Sequence, residues 1–81
     1  SLPNTYYFKY WAGPYSQSGI PDIIACVNGR FVAIEVKAEN GHPSELQKRN
    51  IRLIQESNGY ACIVYPKDFE GLKKELIRLC N

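Results

Sequence analysis

Apolar and polar positions along the first half of the chain follow a β-strand pattern. Residues 5–11 are a β-branched and aromatic run, and a Gly-, Pro- and Ser-rich stretch follows them. A second apolar run, 20–27, ends at Asn28-Gly29, and a third, 30–38, begins directly afterwards. Asn-Gly suits a two-residue type I′ turn, because both central positions of that turn need a positive φ. The pattern predicts three strands, of which the last two form an antiparallel hairpin.

The second half of the chain combines helical and strand patterns. Ser44 and Gln47 have the spacing of a capping box, and Gly59 is a typical helix-ending residue, so we predict a helix that runs to about residue 58. Residues 60–65 form a fourth strand, and a strand, helix and strand of this length normally make a parallel crossover. Asp68 is predicted to cap a last helix. Apolar faces at helical spacing are expected from Leu46, Asn50, Leu53, Ile54 and Ser57, and from Phe69, Leu72, Leu76, Leu79 and Cys80.

These elements predict an α/β fold with a mixed central β-sheet: an antiparallel start of three strands, then a helix, a parallel strand and a helix. With 81 residues the chain is expected to form one domain over residues 1–81. A chain of this size buries only about 60% of its unfolded surface, so oligomerisation is expected to help its stability. The composition, 44% hydrophobic and 22% charged, is typical of a globular protein.

Net charge, hydropathy and cysteine content limit which binding partners, membrane segments and metal sites the chain can have. The net charge of +2 does not demand a polyanionic partner, although a local basic patch can still bind one. No apolar run reaches the roughly 18 residues of a membrane helix, and no signal-peptide pattern opens the sequence, so we expect a soluble protein. Its three cysteines, Cys26, Cys62 and Cys80, form no CxxC pair and are interpreted as reduced core residues. The single histidine, His42, cannot complete a zinc site with them.

The hairpin turn predicts a pair of carboxylates. If Val27 pairs with Arg30, continuing the register places Asp22 directly opposite Glu35. Opposed residues on antiparallel strands share a face with Cβ atoms roughly 4.5–5.5 Å apart, and like charges placed so are destabilising. Lys37 points to the same face by strand periodicity and contributes one positive charge. A divalent cation would contribute two more.

Two carboxylates with water ligands suit Mg²⁺ or Mn²⁺, which prefer oxygen donors. Such an ion binds a phosphate oxygen and lowers the pKa of a bound water, while Lys37 orients that water or neutralises developing charge. The predicted reaction is therefore phosphodiester hydrolysis. Taken singly, each of these residues also fits a solvated strand face or the end of a turn.

Three motifs carry a family resemblance: Ser18-Gly19-Ile20-Pro21-Asp22, then Glu35-Val36-Lys37, then Gln47 on the next helix. Together they resemble the PD-(D/E)XK nuclease signature, and the variety they look like most is the virus-type replication-repair nuclease (VRR-NUC) domain. The resemblance covers nearly the whole chain and implies a restriction-endonuclease-like core.

Carried over residue by residue, the resemblance implies that Asp22, Glu35 and the backbone carbonyl of Val36 bind Mg²⁺ or Mn²⁺. It also implies that Lys37 is catalytic and that Gln47 assists at the site, although its capping-box position explains Gln47 equally well. Related standalone domains cleave branched DNA such as Holliday junctions as homodimers. The family pattern begins with a helix that bears a further acidic residue, whereas this sequence starts at the following strand. We therefore expect an uncovered sheet face, and a homodimer or domain-swapped dimer that buries it.

Contacts to nucleic acid are the least specific expectation. Basic residues on a helix are usually just solvated, and the aromatic run 6–11 is more typical of a core or a dimer interface than of a base-stacking platform. The candidate DNA-binding residues are Lys48, Arg52, Lys9, Ser18 and Tyr15.

The sequence thus favours a Mg²⁺-dependent, structure-selective DNA endonuclease, located in the cytoplasm of a bacterial or phage-infected cell or in a eukaryotic nucleus. One alternative is a non-catalytic nucleic-acid-binding or assembly module with the same fold. Another is a nuclease that acts on linear DNA ends or RNA.

Overall fold

The structure is a computed structural model that describes residues 2–11 and 19–81. Its elements are β1 (Thr5–Lys9), β2 (Ile23–Val27), β3 (Arg30–Val36), α1 (Glu45–Glu56), β4 (Tyr60–Val64), a 3₁₀ turn (Pro66–Asp68) and α2 (Phe69–Cys80). They form one four-stranded sheet in the order β1-β2-β3-β4. The first three strands are antiparallel and β4 runs parallel to β3, so the predicted α/β class and mixed sheet are confirmed.

The hairpin between β2 and β3 has the predicted register. Asn28 and Gly29 take positive φ angles of 50° and 83°, as a type I′ turn requires. Val27 pairs with Arg30, and the pairing continues to Ile23 with Ile34. A slip by one residue would have turned every side chain of one strand to the other face.

The strands are shorter than their apolar runs predicted. β1 ends at Lys9 rather than residue 11, β2 begins at Ile23 rather than residue 20, and β3 ends at Val36 rather than residue 38. Pro21 has no N–H for a sheet ladder, which explains the late start of β2. Pairing nevertheless continues in part, because the Tyr10 N–H donates to the Asp22 carbonyl at 2.7 Å and the Lys37 N–H donates to the Val64 carbonyl at 2.9 Å.

The sheet separates two apolar layers. On one face, α2 packs through Leu72, Leu76, Leu79 and Cys80 against a core that includes the fully buried Val27 and Val32. On the other face, Ile51 and Ile54 of α1 pack against Ala33 and Ala61. Because α1 lies on the face to which Ala33 and Glu35 point, this helix forms one wall of the region around Glu35.

The apolar helix faces differ from the predicted ones. Ile51, which the spacing argument left out, is the buried residue of α1, whereas Leu46 and Leu53 are each 41% exposed. In α2, Phe69 is 47% exposed and does not belong to the core. Asp68 makes no side-chain cap to α2; its carboxylate instead accepts from the Tyr65 N–H at 3.0 Å and closes the 3₁₀ turn.

The end of α1 also differs in detail. The residue with the left-handed conformation is Asn58, at φ 69°, rather than Gly59. The Gly59 N–H donates to the Ile54 carbonyl and the Asn58 N–H to the Gln55 carbonyl, which is the Schellman arrangement. A Cβ at Gly59 would lie 2.7 Å from Ile54 Cγ2, so glycine is needed here for close packing.

The aromatic run and Cys26 do not lie in the core. Tyr6, Tyr7 and Trp11 are 72%, 67% and 76% exposed, which excludes the predicted core role. Tyr6 pairs with Cys26, and Cys26 pairs with Phe31, so these three residues form a row across the sheet on the α1 side. All three cysteines are free thiols, but only Cys80 is buried and Cys26 is exposed. Among the described residues, neither helix combines the length and the apolar character needed to cross a membrane.

Candidate functional site

Asp22 lies just ahead of β2, next to the end of β3. The register of the hairpin makes Asp22 and Glu35 the pair that would follow Ile23 and Ile34. Val36 lies beyond the last β3 residue that pairs with β2, and its N–H donates to Asp22 Oδ2 at 3.0 Å. This hydrogen bond holds the half-buried Asp22 side chain against the β3 strand.

Glu35 is the buried acid of the site, with only 3% of its surface exposed. Its Oε2 accepts from Gln47 Nε2 at 3.0 Å and lies 3.5 Å from Lys37 Nζ. Its Oε1 is buried and has no hydrogen-bond partner within residues 2–11 and 19–81. Burial raises the pKa of Glu35 above its ordinary value, and the nearby Asp22 charge raises it further, while Lys37 acts in the opposite direction.

Gln47 joins the helix to the site with both ends of its side-chain amide. Its Oε1 accepts from the Ser44 N–H at 2.8 Å, and its backbone N–H donates to Ser44 Oγ at 3.1 Å, which completes the predicted capping box. Its Nε2 is left free to donate to Glu35. The capping role and the contact with the acid are therefore compatible, and the start of α1 is tied to the Glu35 carboxylate.

Lys37 brings positive charge to the two acids. Its side chain is 20% exposed, so the ammonium group reaches both Glu35 and solvent. Asp22, Glu35, Lys37 and Gln47 are thus brought together as predicted, with Val36 between the acid and the lysine. Their chemical roles are taken up below.

The donor set fits a hard divalent cation. The buried Glu35 Oε1 has no hydrogen-bond partner among the described residues, and Asp22 adds a second carboxylate close by. Within residues 2–11 and 19–81, no cluster of three or more Asp, Glu, His and Cys side chains could hold a metal by itself. Two carboxylates, a backbone carbonyl and waters are the incomplete protein ligand set that Mg²⁺ commonly takes.

The predicted DNA-contact residues are dispersed. Lys48 Nζ lies 3.3 Å from Glu45 in an exposed ion pair within α1, and Arg52 is exposed on the same helix. Lys9 Nζ lies 4.5 Å from the centre of the Trp11 ring. Tyr15 and Ser18 fall outside the described residues.

Sequence reasoning missed one polar contact beside the site. Asn50 Nδ2 donates to the Gly19 carbonyl at 2.8 Å, three residues ahead of Asp22. The available signal was a polar residue within the predicted apolar face of α1, three residues after Gln47.

One comparison with known proteins, with protein-family models, bears on this geometry. The family model for archaeal Holliday junction resolvase (Hjc) matches residues 11–65, which is more than half of the chain and contains all four clustered side chains. The chain belongs to this family. Family members are nucleases, so the predicted enzyme class is confirmed at that level. The narrower VRR-NUC assignment stays a prediction, and no curated protein and no solved structure matches the chain.

Proposed function

We propose that this protein is a Mg²⁺- or Mn²⁺-dependent endonuclease that hydrolyses phosphodiester bonds in branched DNA such as Holliday junctions. The observation that carries the proposal is the buried Glu35 carboxylate, whose Oε1 has no hydrogen-bond partner in the described part of the chain while Asp22 lies beside it. An acid so desolvated and so close to a like charge is costly unless a cation occupies the site.

Each residue has a role that follows from its contacts. Asp22, Glu35 and the Val36 carbonyl would hold the ion, which when bound supplies charge neutralisation at phosphate and a more acidic water. Lys37, within reach of both Glu35 and solvent, orients the attacking water and stabilises negative charge on the phosphate. Gln47 holds Glu35 in place through its Nε2.

The branched substrate is supported by family membership rather than by a groove on the surface. The motifs that surround Asp22 and Glu35 also favour the virus-type replication-repair variety within the nucleases. Linear DNA ends and RNA are the competing substrates.

A homodimer is part of the proposal. Tyr6, Cys26 and Phe31 form an exposed row on the sheet face that α1 covers only in part, and burying such a row is favourable. Sedimentation at micromolar concentration is expected to show a dimer. A monomer under those conditions would contradict this part of the proposal.

Cleavage of a four-way DNA junction in Mg²⁺ tests the function. Asp22→Ala and Lys37→Ala are each expected to abolish cutting while the far-ultraviolet circular dichroism spectrum stays that of the wild type. Glu70→Ala and Lys74→Ala, which remove an acid and a base from exposed positions of α2, are the matched controls and should cut normally. Undiminished cutting by both site variants would refute the proposal, and flapped, linear and RNA substrates assayed in parallel determine the substrate class.

A further inference from the structure

Asn50 contacts the chain segment that leads to Asp22. It is half-buried on α1, and its Nδ2 donates to the Gly19 carbonyl at 2.8 Å. Between Gly19 and Asp22 the chain passes through the buried Pro21, whose ring restricts the backbone. Fixing the position of Gly19 therefore also restricts the position of Asp22, because only two residues, one of them proline, separate them.

Gly19 fits against α1 so closely that no side chain can replace its hydrogen. Its φ of +80° is one that residues with a Cβ rarely adopt. A Cβ built there would lie 2.7 Å from Leu46 Cγ and 2.9 Å from Asn50 Nδ2. The close contact of Gly19 with Leu46 and the hydrogen bond from Asn50 together fix this segment at one position along α1.

The same helix also holds the second acid. Gln47 donates to Glu35 Oε2 at 3.0 Å, and Asn50 follows it by three residues, so the two amides lie on neighbouring positions of one helix face. Repulsion between Asp22 and Glu35 acts to separate the carboxylates. Two amides of α1 oppose that separation: Gln47 binds Glu35 directly, and Asn50 binds the Gly19 carbonyl three residues ahead of Asp22.

We propose that Asn50 is a positioning residue that sets the place of Asp22 relative to Glu35 through the Gly19 carbonyl, and so prepares the site for a divalent cation. The proposal rests on the proposed function. Asn50 contacts neither acid and has no direct role at the substrate. Replacing Asn50 should therefore weaken metal binding more than it slows the chemical step at saturating metal.

Two substitutions test this role. Asn50→Ala removes the donor and favours the helix, and Asn50→Leu removes the donor while keeping the number and branching of the side-chain heavy atoms. Gln55→Ala is the matched control, because Gln55 Nε2 makes the same kind of bond from α1, to the Ala61 carbonyl at 2.9 Å, but ties the helix to β4. Thermal unfolding of all three verifies that they are folded.

The first measurement is Mn²⁺ affinity by isothermal titration calorimetry without DNA. Both Asn50 variants are expected to bind about tenfold more weakly than the wild type, as when outer partners of metal ligands are removed, whereas Gln55→Ala binds normally. In junction cleavage, the Mn²⁺ concentration for half-maximal rate should rise by a similar factor, with the rate at saturating Mn²⁺ changed less than about threefold.

The second measurement needs no metal. The Val36 N–H donates to Asp22 Oδ2, so hydrogen exchange of the Val36 amide reports whether Asp22 stays in place. Followed by nuclear magnetic resonance, this exchange should accelerate in the Asn50 variants and not in Gln55→Ala. Unchanged Mn²⁺ affinity and Val36 exchange in both Asn50 variants would overturn this inference and leave the proposed function standing. A wild-type protein that binds no Mn²⁺ would overturn both, and equal losses in Gln55→Ala would show a merely structural effect and overturn the positioning role.

Discussion

Replacing Glu35 by glutamine is expected to stabilise the metal-free protein and to remove its response to metal. The substitution keeps the size of the side chain, and the amide oxygen can still accept from Gln47 Nε2. It removes a charge that is 3% exposed and whose pKa is raised by burial and by Asp22. The Glu35 charge thus lowers the stability of the metal-free protein, and it binds the metal when the ion is present.

The expected gain without metal is modest, because two effects oppose each other. Relief of desolvation and of the Asp22 repulsion favours the variant, while the loss of the 3.5 Å ion pair with Lys37 opposes it. Lys37 retains access to solvent, so we expect a net gain of about 0.5–1 kcal/mol. For a domain of this size that corresponds to a rise of roughly 3–6 °C in melting temperature.

The expected effect of metal on the wild type is larger. A ligand present at 100 times its dissociation constant stabilises the folded state by about 2.7 kcal/mol. The melting temperature of the wild type should then rise by roughly 10–20 °C, and that of Glu35→Gln should not change.

The pH dependence has a definite sign. Glu35 holds its proton more tightly in the folded protein than in the unfolded chain, so its contribution to stability is present below pH 4.5 and is lost as the pH rises through the raised folded pKa. Metal-free wild type should therefore lose stability relative to Glu35→Gln as the pH rises from 4.5 toward neutrality.

Thermal unfolding followed by circular dichroism measures all three effects when it is done in EDTA at a series of pH values from 4.5 to neutrality and then with Mn²⁺. Glu56→Gln, which neutralises an exposed acid of α1, is the control and should keep the metal response. A Glu35→Gln protein that melts below the wild type in EDTA, or that keeps the full Mn²⁺ shift, would contradict the role assigned to the Glu35 charge.

Two further predictions concern the supports of the site. Gly59→Ala should destabilise the protein by about 1–3 kcal/mol in urea unfolding, because its Cβ would overlap Ile54. The Cβ of Gly71→Ala in α2 meets no atom of the described residues within 4 Å, so that variant should be neutral or stabilising. Equal effects of the two substitutions would contradict the packing role of Gly59. Ser44→Ala should cost about 1 kcal/mol in the same assay, because the Gln47 backbone N–H loses its Oγ acceptor, although the Ser44 N–H that binds Gln47 Oε1 is kept. Loosening this first turn of α1 should also weaken Mn²⁺ binding, since Gln47 contacts Glu35 from there; Mn²⁺ affinity equal to that of the wild type would show that Gln47 needs no such support.

Much of the fold and the central pair of acids could be predicted from local patterns. Asn28-Gly29 determines the turn, the turn determines the register, and the register aligns Asp22 with Glu35. Ser44 and Gln47 mark the start of α1 in the same way, since a capping box is formed within four residues. Such features depend on neighbours in the chain, and the sequence displays them directly.

Other features depend on which surfaces meet, and no local pattern shows that. Periodicity identifies an apolar side of α1, but contact with Ala33 and Ala61 made Ile51 the buried residue instead of Leu46 or Leu53. The aromatic strand β1 has the composition of a core strand, yet it lies at the edge of the sheet and the rings of Tyr6 and Tyr7 are exposed.

The fine structure of the site belongs to this second group. Strand periodicity places Lys37 on the face of Glu35. The burial of Glu35 Oε1 and the hydrogen bond from Asn50 to Gly19, by contrast, form only because α1 packs against this part of the sheet. Asn50 and Gly19 are 31 residues apart in the chain, so their contact is a product of packing. Local sequence thus encodes the hairpin turn, the capping box of α1 and the alignment of the acids, whereas burial and long-range hydrogen bonds arise once the helix and the sheet are assembled.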